Sequence, residues 1–446
     1  MMAMSVREKE VGRAMVKSKA STKNVIAVLQ ERGLISEITE SGLPEAATTG
    51  MLSVYCGWDP SRPSLQIGNL VPIMILAHFQ RAGHRPLLLV GGGTGMIGDP
   101  SFKSEERVLL STEQVNANAE LIRRQLEPFL SFEGENGAVM VNNADWLGKM
   151  TLIEYLRDIG KHFSVNMMIA KESVRARLED RAQGISYTEF SYMILQSIDF
   201  LHLFDHFNCT VQVGGNDQWG NLLAGVDLIR RARHAQVHAL TAPLITSSSG
   251  QKLGKTEGNA LFLDPALTSA YELYQYWINT EDADVERYLK VFTFLPLDEI
   301  AAIGKQQAED PASRVGQRLL AFEVTKLVHG EATARAVAEA SNALFGGGVA
   351  SLSEAALPHL AGAVPTSPLA PSALEAGVSL VETLVAEGIQ QSKGAARRLI
   401  QQGGLYINDQ RVTDSEMLLT RETALFGRAI LVRAGKNKYH LLLAAE

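Results

Sequence analysis

The sequence predicts an α/β protein: a mostly parallel sheet covered by helices, then a helical region, then a small α+β module. Three observations carry this. Short apolar runs that stop at glycine alternate with longer helical-period segments as far as residue 245. After Pro265 the glycine-rich strand ends give way to helical patterning that lasts to Leu344. A stretch rich in Ala, Pro and Ser then separates a final segment with a different charge balance. The 446 residues allow about two to four domains at roughly 100–200 residues each.

Taken in order, residues 1–23 are polar and basic without the apolar core of a secretory signal, and read as an N-terminal extension. Val25, Val28 and Leu29 recur at three-and-four spacing, and Gly33 stands where a helix stop belongs, so 1–32 holds the extension and a first helix. Residues 52–56 form a strand ended by Gly57, and 72–81 an apolar helix stopped by Gly83. A buried strand at 86–90 runs into a glycine cluster; further strands are expected at 138–142 and 209–213, the latter ending at Gly214 and Gly215. This alternation predicts a parallel sheet covered on both faces across 33–245, and ligands of such sheets sit beyond the carboxyl ends of the strands. Those ends carry Tyr55, residues 91–99 and residues 214–218. Residues 246–270 read as a loop and connection, 271–345 as a helical domain, 346–373 as a linker, and 374–446 as a compact module with a strand pair around 404–408.

Composition narrows the classes. A mean hydropathy of zero excludes a disordered or fibrous chain. No window reaches the ~18 uninterrupted apolar residues of a membrane span. Cys56 and Cys209 form no CxxC pair, so neither a disulfide framework nor a cysteine-rich zinc site is expected, and a reducing, cytoplasmic compartment fits. Net charge is -7, from 42 Lys+Arg against 49 Asp+Glu. That balance alone speaks against a nucleic-acid partner, but it is unevenly divided. From Leu374 onward there are nine basic and eight acidic residues, leaving 33 against 41 for the rest. Lys393, Arg397 and Arg398 bunch at helical spacing, and Arg411 and Arg421 follow.

Several motifs point elsewhere on first sight. Gly93-Thr-Gly95-Met-Ile-Gly98 matches a dinucleotide fingerprint after a strand, which makes an NAD-dependent oxidoreductase an alternative. Its third glycine runs into Asp99 and Pro100, where the fingerprint needs a helix already presenting its dipole. The segment 250–256 resembles a P-loop but has three residues between its glycines instead of four. It remains a loop with two lysines three apart, either a solvated surface or a cationic clamp for polyphosphate. His202/His206 and His234/His238 have helical spacing but lack the glutamate of H-E-x-x-H, so no metal site is expected.

Tyr55-Cys-Gly-Trp-Asp59, Ser64-Leu-Gln-Ile-Gly-Asn69, Gly95-Met-Ile-Gly-Asp-Pro100, Phe190-Ser-Tyr-Met-Ile-Leu-Gln-Ser-Ile-Asp199, Gly214-Gly-Asn-Asp-Gln-Trp219 and Lys252-Leu-Gly-Lys-Thr256 stand in that order. Together they resemble the bacterial-type tyrosyl-tRNA synthetases, class I aminoacyl-tRNA synthetases, from residue 33 to the end. Ser392-Lys-Gly-Ala-Ala-Arg-Arg-Leu-Ile400 with Gly404-Leu-Tyr-Ile-Asn408 resembles the S4 RNA-binding module of that family. The resemblance implies a Rossmann-like catalytic domain at 33–245, a KMSKS-type loop within 246–270, an anticodon-side helical domain at 271–345 and an S4-like domain at 374–446. It also implies a homodimer that uses L-tyrosine, ATP as substrate with accompanying Mg2+, and tRNA(Tyr).

By the same matching, Tyr55 and Asp199 would bracket the tyrosine hydroxyl. Asp99, Tyr192 and Gln196 would hold its ammonium group, and Gln218 would orient its carboxylate. Gly57, Asp59, Gly68, Gly215 and Asp217 would receive ATP, Asp217 at the ribose. Lys252, Lys255 and Thr256 would hold the leaving pyrophosphate, as would Lys103 and Arg107 on a second loop; Lys393, Arg397 and Arg398 would contact RNA. Such a reaction needs no general base, because the attacking carboxylate is already ionised; positioning and charge stabilisation suffice. The HIGH-type signature departs from the family at Gln66, where histidine is usual, and ends in Asn69. An amide can donate to a phosphate oxygen but has no charged form, so slower adenylate formation is expected. Two alternatives are a synthetase-derived RNA-binding protein with weakened catalysis and the tryptophanyl enzyme, the latter disfavoured by the Tyr55/Asp199 pair and the S4-like tail.

Overall fold

Strands whose leucines and valines are buried on both faces must be covered on both sides. In the computed structural model, which describes residues 24–39, 42–97, 111–171, 174–175, 178, 185–254, 260–345 and 348–444, such strands form the centre of a six-stranded sheet whose two edge strands are less buried. The six are β1 (Glu37–Ile38), β2 (Ser53–Trp58), β3 (Arg85–Val90), β4 (Val139–Asn142), β5 (Cys209–Gly215) and β6 (His238–Ala242), in the spatial order β1-β6-β5-β2-β3-β4. All run parallel except β1, which pairs antiparallel with β6 at the edge. β2 is flanked by β3 on one side and β5 on the other, so the winding reverses there. At such a reversal the connections diverge and leave a crevice beyond the carboxyl ends.

The covering helices are α1 (Val25–Glu31), α2 (Leu70–Arg81), α3 (Thr112–Leu126), α4 (Tyr187–Phe207) and α5 (Trp219–Arg233). Asn24 caps α1 by accepting from the Ile26 N–H at 2.8 Å, and the chain leaves that helix through Gly33 at φ +71. Ser186 and Glu189 form a capping box that starts α4, and left-handed Asn208 ends it.

β6 escapes the sequence pattern, and with it one histidine pair. His238 is buried within this strand, while His234 ends α5 in the left-handed conformation, so the two do not share a helix face.

The helical region 271–345 does not form a single body. Of its helices α6 (Ala270–Ile278), α7 (Asp282–Phe292), α8 (Leu297–Glu309), α9 (Val315–His329) and α10 (Glu331–Leu344), α7 and α8 pack with the sheet. The other three belong to a second unit made of 265–280 and the described residues from 310 on. Within the first unit, the buried Arg32 guanidinium donates to the carbonyls of Lys290 (3.0 Å), Thr293 (2.9 Å) and Leu295 (2.7 Å), closing the end of α7.

The stretch 346–373, expected to be a linker, is integrated into the second unit where it is described. It contains α11 (Leu357–Ala363) and β7 (Thr366–Leu369). Leu352, Leu357 and Leu360 are buried with Ala336 and Ala340 of α10 and with Leu431 and Leu441. Its small residues permit close approach of helix and sheet here, where composition alone suggested solvated chain. The C-terminal strands are β8 (Val378–Ser379), β9 (Leu405–Ile407), β10 (Gln410–Arg411), β11 (Leu418–Leu419), β12 (Ala429–Ala434) and β13 (Lys438–Ala444). One sheet has the order β10-β9-β12-β13-β7, with β7 parallel to β13, and β8 pairs with β11. Asn408 and Asp409, at φ 49 and 64, make the two-residue turn between β9 and β10. The Asp409 carboxylate accepts the Val349 N–H at 2.9 Å and so ties the stretch after α10 to this module.

Candidate active site

The reversal between β2 and β5 opens a cleft of about 1590 Å³ in the sheet-bearing unit. Gly57 is the exposed position of an otherwise buried β2, and it faces this space. Tyr192, Gln196 and Asp199 fall four and three residues apart on α4, which turns all of them toward the cleft. Gly215, Asp217 and Gln218 leave β5 in a short turn and line it from the opposite side, with Asp59 on the rim after β2.

One end of the cleft is built around a buried carboxylate. Asp199 is 1% exposed, and its two oxygens accept hydrogen bonds from Asn143 Nδ2 (2.9 Å) and Trp146 Nε1 (2.8 Å). Burial pushes its pKa up to about 7, against the pull of those two donors. Tyr55 lies equally deep, and its hydroxyl is buried without a hydrogen-bond partner among the described residues. Burial, reinforced by the Asp199 charge, raises the Tyr55 pKa well above its ordinary value. A carboxylate with spare lone pairs and an unsatisfied phenol together suit a ligand hydroxyl.

Asn143 and Trp146 escaped the sequence reading, although Asn143 directly follows β4 and the strand-end rule applied to it as well as to Tyr55. Asn143 is fully buried; its Oδ1 accepts from the Gly93 N–H (2.7 Å) and its Nδ2 also donates to Thr94 Oγ1 (2.9 Å). It thereby fastens the glycine turn after β3 to Asp199. His202 stacks on Trp146 with centroids 4.2 Å apart and planes 12° apart, and the His206 ring follows at 4.3 Å. The helical histidine pair therefore backs the indole that holds Asp199. Lys171 was also missed: it lines the cleft, donates to the Gly220 carbonyl, and has its pKa lowered to about 8 by burial.

At the other end, residues 66–69 make a tight turn in which Asn69 Oδ1 accepts the Gln66 N–H at 2.8 Å. This turn pairs with the segment after the lysine loop: Ile67 N donates to Leu261 O (3.0 Å) and Leu263 N to Leu65 O (2.9 Å). The loop itself is a hairpin, with Thr246 opposite Lys252 and Leu253 N bonded to Ile245 O at 3.2 Å. Gly254, at φ +75, is where the hairpin meets the turn; a Cβ there would lie 3.2 Å from the Ile67 Cβ. Gln66, Gly68, Asn69 and Lys252 all line the same cleft as Tyr55 and Asp199. Asp99, Lys103, Arg107, Lys255 and Thr256 lie outside the described residues, as does the extension at 1–23.

Lys393, Arg397 and Arg398 lie in the second unit, where α12 (Leu380–Ala386) precedes α13 (Lys393–Gln401); all three are exposed on α13. Ala396 and Ile400 bury the opposite face of α13. Lys393 pairs with Glu382 at 2.6 Å and Arg397 with Glu416 at 3.6 Å. Such exposed pairs are screened by solvent and add little to stability.

Residues 47–346 match the family model of class I tRNA synthetases (W and Y), and residues 360–442 match the tyrosine–tRNA ligase SYY-like C-terminal domain. A tyrosine–tRNA ligase of Roseiflexus castenholzii is 48% identical over 420 residues, 94% of this chain and 99% of its own. One from Escherichia coli is 47% identical over 425 residues, covering 95% and 99%. Among solved structures, a C-terminally truncated mitochondrial tyrosyl-tRNA synthetase of Aspergillus nidulans matches with a TM-score of 0.66 at 33% identity, over 76% of this chain and 97% of that one.

The buried carboxylate predicts a pH dependence. Since burial raises the Asp199 pKa, its ionisation costs the folded protein stability, which returns as the pH falls from about 7 toward the ordinary carboxylate range. With Asp199 as acceptor of a ligand hydroxyl, ligand binding would have the opposite trend, because the ionised form is the better acceptor. Affinity for L-tyrosine, measured by equilibrium titration, should weaken as the pH falls through about 7, and Asp199→Asn should flatten the profile.

Proposed function

The chain belongs to the class I tyrosyl-tRNA synthetases, and on that premise we propose that it activates L-tyrosine with ATP and passes the tyrosyl group to the 3′ end of tRNA(Tyr). One observation carries the reading: a single cleft joins the buried Tyr55 and Asp199 at one end to the 66–69 turn and Lys252 at the other. The tyrosine hydroxyl would donate to Asp199 and accept from Tyr55. Phenylalanine would leave the Tyr55 hydroxyl unpaired and the spare acceptor capacity of Asp199 unfilled in a buried site, an effect for which tyrosyl-tRNA synthetases are the standard illustration. Asp99, Tyr192 and Gln196 would take the ammonium group, and Gln218 the carboxylate side.

The ionised tyrosine carboxylate then attacks the α-phosphorus of ATP. A bond forms between a carboxylate oxygen and the α-phosphorus, the bond from phosphorus to the α,β-bridging oxygen breaks, and pyrophosphate leaves with that electron pair; a terminal ribose hydroxyl of the tRNA then attacks the tyrosyl carbonyl carbon, loses its proton and displaces AMP. Asp59 and Asp217, with the bare backbones of Gly57, Gly68 and Gly215, would receive the nucleoside. Gln66 and Asn69 would donate to phosphate oxygens, while Lys252, Lys255, Thr256, Lys103 and Arg107 would neutralise the departing charge. ATP would bring Mg2+ with its phosphates, and none of these residue roles depends on the ion.

Pyrophosphate exchange tests the reading directly. The protein should exchange labelled pyrophosphate into ATP when L-tyrosine is present, and phenylalanine should not substitute; no exchange would favour the RNA-binding alternative. Gln66→His should raise the single-turnover rate of adenylate formation, and an unchanged rate would remove Gln66 from the account.

For tRNA, the exposed α13 cluster supports a role of the second unit in backbone contact. Replacing Lys393, Arg397 and Arg398 together by Ala should weaken tRNA charging and leave pyrophosphate exchange intact. Equal loss of both would refute this division of labour.

We also propose a symmetric homodimer. Leu152, Ile153, Val165, Met167 and Tyr187 are between 52% and 70% exposed in the sheet-bearing unit, a concentration of apolar side chains that a second copy would cover. Sedimentation equilibrium should give twice the chain mass and Tyr187→Asp should shift it toward the monomer; a wild-type monomer would end the proposal. A cytoplasmic setting is supported by Cys56 and Cys209, both free and buried. No helix among the described residues is long and apolar enough to cross a membrane.

A further inference from the structure

The hairpin that carries Lys252 is gripped from two sides. Toward the cleft, it meets the 66–69 turn through Gly254 and Leu261. On its outer strand it meets the first turns of α7. Asp284 is 3% exposed, and its Oδ2 accepts the Ser248 N–H at 2.7 Å. Its Oδ1 accepts from Arg287 at 2.6 Å, and Arg287 also donates to the Thr246 carbonyl. Glu281 accepts from Ser248 Oγ. Thr246 is the antiparallel partner of Lys252, so these bonds reach the strand directly opposite the lysine.

We propose that Asp284, assisted by Arg287 and Glu281, is a positioning residue for adenylate formation: it anchors the lysine hairpin so that Lys252 is held in register with the 66–69 turn. The inference rests on the ligase reading above. Asp284 does not touch the cleft, and its effect passes through backbone groups of 246 and 248. Nor is it needed to hold α7 itself. The far end of that helix is closed by Arg32, and Val285, Leu289, Val291 and Phe292 bury its apolar face. Losing the Asp284 carboxylate therefore frees the hairpin while the helix stays seated. An error of about 1 Å in a phosphate-facing group lowers the rate of a positioned reaction by up to about 100-fold. The tyrosine end of the cleft is built from β2, β4 and α4, and stands apart from this contact.

The test uses the full chain, with tyrosine-dependent pyrophosphate exchange and an independent measurement of tyrosine affinity. Asp284→Ala should lower the exchange kcat by about 10- to 100-fold and leave the tyrosine Kd within about twofold. Asp284→Asn keeps an oxygen for the Ser248 N–H and should recover most of the rate. Arg287→Ala alters a half-exposed side chain; it should fold in any case and lower the rate by at least about threefold, again without moving the tyrosine Kd. Either variant within about twofold of wild type, or a parallel loss of rate and tyrosine affinity, overturns the anchor. So does an Asn variant as slow as the Ala variant. If Asp284→Ala fails to fold, Arg287→Ala decides by the same criteria. Absence of exchange in the wild-type protein would instead overturn the ligase reading, and the anchor with it.

Discussion

A carboxylate sealed from water has to be surrounded by donors, and much of the first unit is arranged around that requirement at Asp199. Its partners come from the segment just past β4, which must therefore end where it does to present Asn143 and Trp146. Asn143 is in turn bonded to the turn after β3, so two neighbouring strand ends and α4 share one polar network in an otherwise apolar core. The network has little freedom, since a half-satisfied buried cluster costs more than none. Precision at this end of the cleft follows from that rigidity.

The other end of the cleft is held differently. There the turn at 66–69 and the lysine hairpin are joined by backbone pairing, and the outer grip comes from side chains of α7. Those groups lie far apart in the chain and fall outside the sheet altogether. Class membership concerns the motif residues; the side chains that aim them are drawn from whatever the fold brings alongside.

That difference also explains what could be read from the residues. Tyr55, Gly57, Gly215 and Gln218 were legible because a strand end followed by glycine is a local pattern with a general consequence. Tyr192, Gln196 and Asp199 could be picked out only through the family-like motif that contains them; their shared helix face emerges from the structure. Asp284 was not, because a carboxylate in the first turn of a helix normally reads as a favourable charge near the dipole. β6 was hidden by its composition, with two alanines and a histidine in a five-residue strand buried throughout. The stretch before β8 was misread for a related reason. Alanine, proline and serine mark solvated chain in isolation, yet Leu352, Leu357 and Leu360 among them supply an apolar face that only a partner from the C-terminal sheet reveals.

The two units are not successive segments of chain. The polypeptide passes from the first to the second after Asp264, returns at Glu281, and leaves again after Glu309. During synthesis the sheet is therefore complete before the helix that grips its lysine hairpin has been made. α6 emerges still earlier than α9 and α10, against which it packs. Leu273, Tyr274 and Trp277 of α6 stay without their cover until the ribosome has passed that later pair, an interval in which aggregation competes with folding. The interleaving that brings a distant helix against the lysine hairpin thus makes the nascent chain dependent on sequence it has not yet acquired.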